Sequence, residues 1–464
     1  MTARRKPDGY HAFVGGKLAL RTERAGVVVD EQSISPSLFP FQRQLVRWAL
    51  ATGKAALFAA CGLGKTPMQL EWARQIVKAT QGEVLVLAPL AVAQQTVRGG
   101  AKFGIDVSYA GNAGAIAGAV TITNYERLDK FDPTRFAAVV LDESGIIKNF
   151  SGKVKAEIFA AFSATPYKLA CSATPAPNDH MELGQHAEFL GVMPSNEMLS
   201  RFFINDTSTA SQKWRLKRHA EGAFWDWMAS WARMAETPAD LGHDASEYVL
   251  PPLHVHRHRA AGDIRPPAGA LFGGDVSATT LHDVKRQTAE ARAEACARLV
   301  PAGDSCVIWC DTDYEADAIT AAVPGASEVR GSHPAERKED TLAAFADGRQ
   351  RVLVTKPSVA GFGMNWQHCA TMIFAGRSFS YEAWYQAVRR CWRFGQTRPV
   401  DCHLIVAEGE DQIGRVIDRK SADHAAMKRA MSAAMKRAAA GAERRVAYHA
   451  THITEVPEWL RSAA

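Results

Sequence analysis

The chain has 464 residues, too many for one ordinary hydrophobic core, so two or three domains are expected. Hydrophobic residues make up 47% and charged residues 22%, a globular balance, and the net charge of +6 is compatible with a polyanionic partner without requiring one. Eight cysteines without a Cys-x-x-Cys pair argue against a zinc ribbon. No apolar run reaches membrane-spanning length and no apolar stretch follows the basic Arg4-Arg5-Lys6, so a cytoplasmic protein is expected.

Residues 1–35 read as an N-terminal extension, with Leu18–Arg21 and Val27–Val29 pairing as a small hairpin. A helix opens at Leu38-Phe39-Pro40-Phe41-Gln42, with Pro near its start and Leu45, Trp48 and Ala49 on its buried face. Gln42 lies 23 residues before Lys65. A Gln amide can pair with an adenine edge, or it can simply face solvent at the helix start.

The apolar run Ala55–Phe58 leads into Ala59-Ala60-Cys61-Gly62-Leu63-Gly64-Lys65-Thr66, and a helical pattern from Met68 to Ile76 leaves it. Strand, glycine-rich turn, Gly-Lys-Thr and helix are the parts of a phosphate-binding loop. Gly62 and Gly64 allow backbone amides to turn inward on phosphate oxygens, and the helix adds the positive end of its dipole. In that reading Lys65 reaches the terminal phosphates and the Thr66 hydroxyl ligates Mg²⁺. Ala59 stands where the general pattern has Gly.

Apolar strands follow at Val84–Ala88, Ala119–Thr123, Ala137–Leu141 and Lys168–Cys171, with helical stretches between them. That alternation implies a parallel sheet covered on both faces, with ligands beyond the carboxyl ends of its strands. Polar clusters sit at those ends: Asn124-Tyr125-Glu126 after Thr123, Asp142-Glu143, and Ser172-Ala173-Thr174-Pro175. Asp142 is placed to hold Mg²⁺, and Glu143 either deprotonates an attacking water or caps a helix.

Residues 177–250 are rich in aromatics. Phe224, Trp227 and Trp231 share one helix face and read as the core of a helical insertion rather than a base-stacking platform. Lys213, Arg215, Lys217 and Arg218 either touch phosphates or face solvent. His254, His256 and His258 alternate after Pro251-Pro252 and would share one face of a strand. A metal site is one reading; with no acidic or Cys partner nearby, a solvated face is favoured. Residues 251–280 read as a linker.

A second α/β lobe spans 281–410, with strands at Cys306–Trp309, Arg351–Thr355, Thr371–Phe374 and Asp401–Val406 and no phosphate loop. Gly361-x-Gly363-x-Asn365 is a flexible turn suited to close approach of a ligand. In Gln386-Ala387-Val388-Arg389-Arg390-Cys391-Trp392-Arg393-Phe394-Gly395-Gln396, Arg390 and Arg393 project together from one helix face. They are arginine-finger candidates, or a solvated face together with Arg389. Residues 411–464 form a basic, Ala-rich helical tail, with nine Lys/Arg against three Asp/Glu from Gly414 to Arg445. It either follows nucleic acid or docks on the second lobe.

In this order the clusters resemble the motifs of superfamily II helicase-like ATPases, and most of all the Swi/Snf-type DNA translocases, in a minimal form. The resemblance runs from Leu38 to Gln396. It implies two RecA-like lobes, the first over 36–176 and the second over 281–410, and an ATP site built from Gln42, Gly62, Leu63, Gly64, Lys65, Thr66 and Gln386. It further implies Mg²⁺ at Thr66 and Asp142, and catalysis by Lys65, Glu143, Arg390 and Arg393. Coupling falls to Ser172, Ala173 and Thr174. DNA contacts fall to Pro89, Leu90, Thr123, Asn124, Gly361, Gly363 and Asn365. Gly145 stands where the family has His, so coupling is expected to use other residues. The implied function is ATP-driven movement along DNA, duplex by preference. The alternatives are a helicase that separates DNA or RNA strands and a non-enzymatic nucleic-acid scaffold.

Overall fold

The computed structural model describes residues 25–148, 152–206, 213–260, 278–360, 365–408 and 410–440. Two parallel sheets organise them. The first has seven strands in the order β3-β4-β2-β5-β6-β1-β9, and the second has six in the order β10-β15-β14-β11-β13-β12. Among the described residues, no helix is long and apolar enough to cross a membrane, and all eight cysteines are unpaired and buried.

In the first lobe, helix α1 (Pro40–Thr52) has Pro at its first position and buries Phe41, Leu45, Val46, Ala49 and Leu50. Strand β1 (Lys54–Ala59) is buried along all but its first residue, as a central parallel strand must be. Then follow α2 (Lys65–Thr80), β2 (Glu83–Ala88), α3 (Leu90–Lys102), the short β3 (Ser108–Tyr109), β4 (Val120–Asn124), β5 (Phe136–Asp142), α4 (Lys153–Ala161) and β6 (Tyr167–Cys171). Packed against one face of the sheet is a core holding Leu45, Leu70, Trp72 and Ile76, and against the other a core holding Ile158, Phe162 and Phe189.

Residues 177–250 are not wholly helical. They hold α5 (Leu183–Phe189), α6 (Ser195–Phe202), the antiparallel hairpin β7 (Phe203–Asp206) and β8 (Lys213–Leu216), and α7 (Glu221–Trp231). Strand β9 (Ala232–Ala235) then pairs with β1 and completes the first sheet. Its four residues follow directly on a helix, so no break in pattern announces it. Phe224, Trp227 and Trp231 are buried in the core, as the helix-face spacing implies. The expected hairpin is absent at Val27–Val29, which is loop, and its other half, 18–21, lies outside the described residues.

The stretch expected to be linker contains β10 (Leu253–Arg259). It pairs in parallel with β15 (Val400–Val406) over seven residues and is an edge strand of the second sheet. Its polar side chains suit an edge, and that polarity disguises it as linker. Two helices, α8 (Ala278–Gln287) and α9 (Ala289–Leu299), open the rest of the second lobe. After them come β11 (Cys306–Trp309), α10 (Asp313–Ala322), β12 (Ser327–Val329), α11 (Ala335–Ala346), β13 (Val352–Thr355), the single-turn α12 (Pro357–Ala360), β14 (Thr371–Phe374) and α13 (Tyr381–Cys391).

The tail helix α14 (Asp411–Ala439) leaves the second lobe and packs mainly on the first. Met427, Met431, Ala434 and Met435 enter the core that contains Trp225, Trp227 and Trp231. Lys428 pairs with Glu236 and Arg437 with Asp226. The docking expected on the second lobe is therefore corrected. A Met row spaced four residues apart needs an apolar partner, and the Trp-rich α7 supplies it. Between the lobes, Cys61 and Ala173 share a small apolar cluster with Leu281, Tyr381, Tyr385, Ile413 and Ile417.

Candidate nucleotide site between the lobes

The chain turns sharply between β1 and α2. Gly62 has φ +98° and Gly64 φ +79°, conformations that favour glycine. Space demands glycine as well. A Cβ on Gly62 would lie 3.0 Å from the Phe394 Cβ of the second lobe, and one on Gly64 would lie 2.3 Å from Gln42 Nε2. Gly64 is the N-cap of α2 and, lacking a side chain, gives the first-turn amides no capping oxygen of its own. Lys65 Nζ donates to the Ala59 carbonyl at 3.2 Å. Burial works to lower the Lys65 pKa, but Cys61, Glu143 and Asp142 more than offset it, and the ammonium is held above its usual range.

Gln42 is buried against this loop. Its Nε2 donates to the Leu63 carbonyl at 2.9 Å and its Oε1 accepts from the Phe39 amide at 3.0 Å. The solvated reading is thereby corrected: Gln42 braces the phosphate loop. Each amide atom keeps one further hydrogen-bonding position.

Asp142 and Glu143 end β5 facing the loop. Asp142 Oδ1 accepts from Gln69 Nε2 at 2.7 Å and from the Glu143 amide at 3.0 Å. Tyr125 donates its hydroxyl to the Asp142 carbonyl at 2.7 Å. Burial and then the neighbouring Glu143 push the Asp142 carboxyl up to about 6, against Gln69 and Lys65, which lower it. Glu143 has φ +50°, in the left-handed region that non-glycine residues seldom enter. The strain falls on the residue beside the loop, and Glu143 lines the cleft.

The second lobe closes that cleft. A cavity of about 460 Å³ is lined by Gly62, Gly64, Lys65, Thr66, Asp142 and Glu143 from one lobe and by Asn365, Arg390 and Arg393 from the other. Arg390 donates through Nε to the Gln386 carbonyl at 3.1 Å and through Nη2 to Gln386 Oε1 at 3.0 Å. The same Oε1 accepts from Cys61 Sγ at 3.5 Å, so Gln386 touches the phosphate loop. Burial, then the neighbouring Arg390 charge, lower the Arg393 pKa to about 10. Arg389 points elsewhere: it pairs with Glu236 at 3.1 Å and lies over the Trp392 ring at 4.6 Å.

Two features in or beside this cleft escape a reading of motifs. Gln95, Arg98 and Lys102 of α3 also line it. Their i, i+3, i+7 spacing was the available signal. Glu382, at the start of α13, crosses the lobe interface: it forms an ion pair with Lys148 and accepts from Thr174 Oγ1 at 3.4 Å. Gly145 makes room for this, since a Cβ there would lie 2.8 Å from Glu382 Oε1. Ser172 supports the same turn, its Oγ accepting from the Thr174 amide at 3.1 Å, and Ala173 joins the interlobe apolar cluster.

The expected nucleic-acid residues are less well grouped. Pro89 caps α3 and Leu90 opens it. Thr123 is fully buried and Asn124 nearly so, with Asn124 Nδ2 donating to Glu126 at 2.7 Å. Neither displays its side chain to a partner, because the strand end expected to carry them outward is itself covered. Asn365 lines the cleft between the lobes. Gly361 and Gly363 lie outside the described residues. Lys217 donates to the Ser200 and Arg201 carbonyls and serves the β7–β8 hairpin.

The chain is similar in structure to the Sulfolobus solfataricus SWI2/SNF2 ATPase core in complex with dsDNA, at 18% identity over 88% of this chain and 96% of that one, with a TM-score of 0.42. Residues 291–395, which run from α9 through both cleft arginines, match the helicase conserved C-terminal domain.

Proposed function

We propose that the chain is an ATP-driven DNA translocase of the superfamily II, Swi/Snf type. One observation carries the reading: Lys65, Thr66, Asp142 and Glu143 of one lobe and Arg390 and Arg393 of the other line a single cleft. A polyphosphate is the ligand that a glycine-started helix N-terminus, a half-buried lysine, the buried Arg390 and the half-buried Arg393 jointly suit.

ATP is held through the loop amides, Lys65 and Gln386, with Gln42 bracing the loop from behind. Hard oxygen donors suit magnesium, and the Thr66 hydroxyl and the Asp142 carboxylate are such donors. Asp142 accepts its two hydrogen bonds on Oδ1. A magnesium ion bound there supplies charge neutralisation on the phosphate oxygens. Glu143 orients a water and takes its proton. Arg390 and Arg393 stabilise charge on the transferring phosphoryl group only when the lobes are together, which ties hydrolysis to hinge motion. Glu382 reports lobe position to the Lys148 and Thr174 segments, in the place left by Gly145. DNA crosses both lobes, held through its phosphates and so without sequence preference.

The test is steady-state ATP hydrolysis without nucleic acid and with duplex DNA, single-stranded DNA or RNA, beside Glu143→Gln. Strong stimulation by duplex, lost in the variant, supports the translocase. Stimulation by single strands alone indicates a strand-separating helicase, and by RNA alone an RNA-dependent ATPase. DNA binding without turnover under any condition overturns the motor and leaves a scaffold.

A further inference from the structure

The histidines of β10 acquire in the fold the carboxylate that their own sequence neighbourhood lacks. Alternation puts His254, His256 and His258 on one face. Parallel pairing sets Asp401 of β15 opposite His254, and His403 opposite His256. His256 Nε2 lies 2.7 Å from Asp401 Oδ1, and His254 Nδ1 lies 3.5 Å from the same oxygen. A ligand atom from each of the three residues can be chosen so that all lie within 4.8 Å of one another.

Around zinc, with bonds near 2.0–2.1 Å, tetrahedral ligand atoms stand about 3.4 Å apart. The two separations to the carboxylate bracket that value, and the side chains of His254, His256 and Asp401 are 53, 44 and 43% exposed, so their rings and carboxylate are free to adjust. Further imidazoles back the group. His403 stacks on His256 with centroids 4.8 Å apart, and His258 Nε2 meets His403 Nδ1 at 3.0 Å. Such neighbours fix ring orientation behind a ligand. None of these residues lines the nucleotide cleft.

We propose that His254, His256 and Asp401 bind a borderline divalent cation of the zinc class, with a fourth position open to water. The donor set, two imidazoles and one carboxylate, suits zinc, nickel or copper better than magnesium or calcium. The site staples the strand by which the chain enters the second lobe to the strand by which it leaves. Just upstream of His254, the Pro251 carbonyl accepts from Trp392 Nε1 at 2.7 Å. A bound cation therefore also stiffens the support of the turn that carries Arg393. The inference stands independently of the nucleotide reading.

The test uses untagged, chelator-treated full-length protein, titrated with Zn²⁺ by calorimetry and with Co²⁺ by visible absorption. One equivalent of each is expected, with Co²⁺ giving d–d bands and no strong thiolate charge-transfer band. Zn²⁺ should raise the melting temperature, because a ligand of the folded state stabilises it. His256→Ala and Asp401→Asn should each weaken binding more than about tenfold and remove that rise. His254→Ala is the independent second variant should Asp401→Asn fold poorly. Binding unchanged in these variants, a thiolate band pointing to the cysteines, or no saturable binding at millimolar metal overturns the proposal.

Discussion

The two lobes each begin a helix just after a central parallel strand, and they finish that junction in opposite ways. In the second lobe, β11 leads to Thr312, the N-cap of α10. Its side chain accepts from the Glu315 amide at 3.4 Å, while the Glu315 carboxylate accepts from the amides of Asp311 and Thr312 at 2.9 and 3.0 Å. Glu315 is fully buried, and a Cβ on Gly376 would come within 2.4 Å of it. In the first lobe, β1 leads to Gly64, which has no side chain to cap α2. One helix start holds a resident anion in a tight seat, and the other leaves its amides for a visitor. The difference teaches that a parallel-sheet lobe offers an anion site at this junction by default, and that a single capping carboxylate is enough to close it.

The largest effect expected on this contrast comes from the open side. Arg393→Ala or Lys65→Ala should lower kcat for ATP hydrolysis by about 10³-fold. With Arg393→Ala, nucleotide affinity measured by a fluorescent analogue should change far less, because that arginine acts from the other lobe. On the closed side, Glu315→Ala leaves two part-buried amides without their carboxylate partner and should cost about 2 kcal/mol of stability, read by urea unfolding. Nucleotide should still bind only the first lobe, since no lysine follows the second turn. Glu382→Gln should leave basal hydrolysis nearly intact and cut its stimulation by DNA by about tenfold. Equal loss of both rates would show instead that Glu382 merely holds the fold.

The smallest effect is a pH dependence. The Asp142 carboxyl, raised to about 6 in the folded chain, has an ordinary unfolded value. Between about pH 4 and 6 the folded state therefore binds the extra proton. Without a divalent cation, stability should fall as pH rises through that window, while hydrolysis, which needs the carboxylate, should rise. The difference between wild type and Asp142→Asn in thermal melts isolates the effect.

Much of this was legible because it is local. The turn at Gly62 and Gly64, the acidic pair at 142–143 and the spacing of Arg390 and Arg393 each lie within a few residues. The central strands also read clearly, since burial on both faces makes them continuously apolar. What failed depends on partners far away in sequence. Edge strand β10 is polar enough to pass for linker, and its partner Asp401 is 145 residues on. Glu382 shows its role only once Gly145 and Lys148 face it. Thr123 and Asn124 carry the right residue types at the right strand end, yet their burial depends on what packs above them, which no motif encodes.

The route of α14 has a mechanical consequence. The chain passes from the first lobe to the second at β10, and α14 brings it back, seating about 43 Å of helix partly against the Trp-rich face it first left. Glu236 binds Lys428 from this returning helix and Arg389 from the second lobe. The lobes are thus joined by two struts, not by one hinge. Any rotation that parts them must bend a continuous helix or slide its methionines over tryptophan. On the proposed hinge motion, opening would therefore have to load this helix whether or not the cleft is occupied.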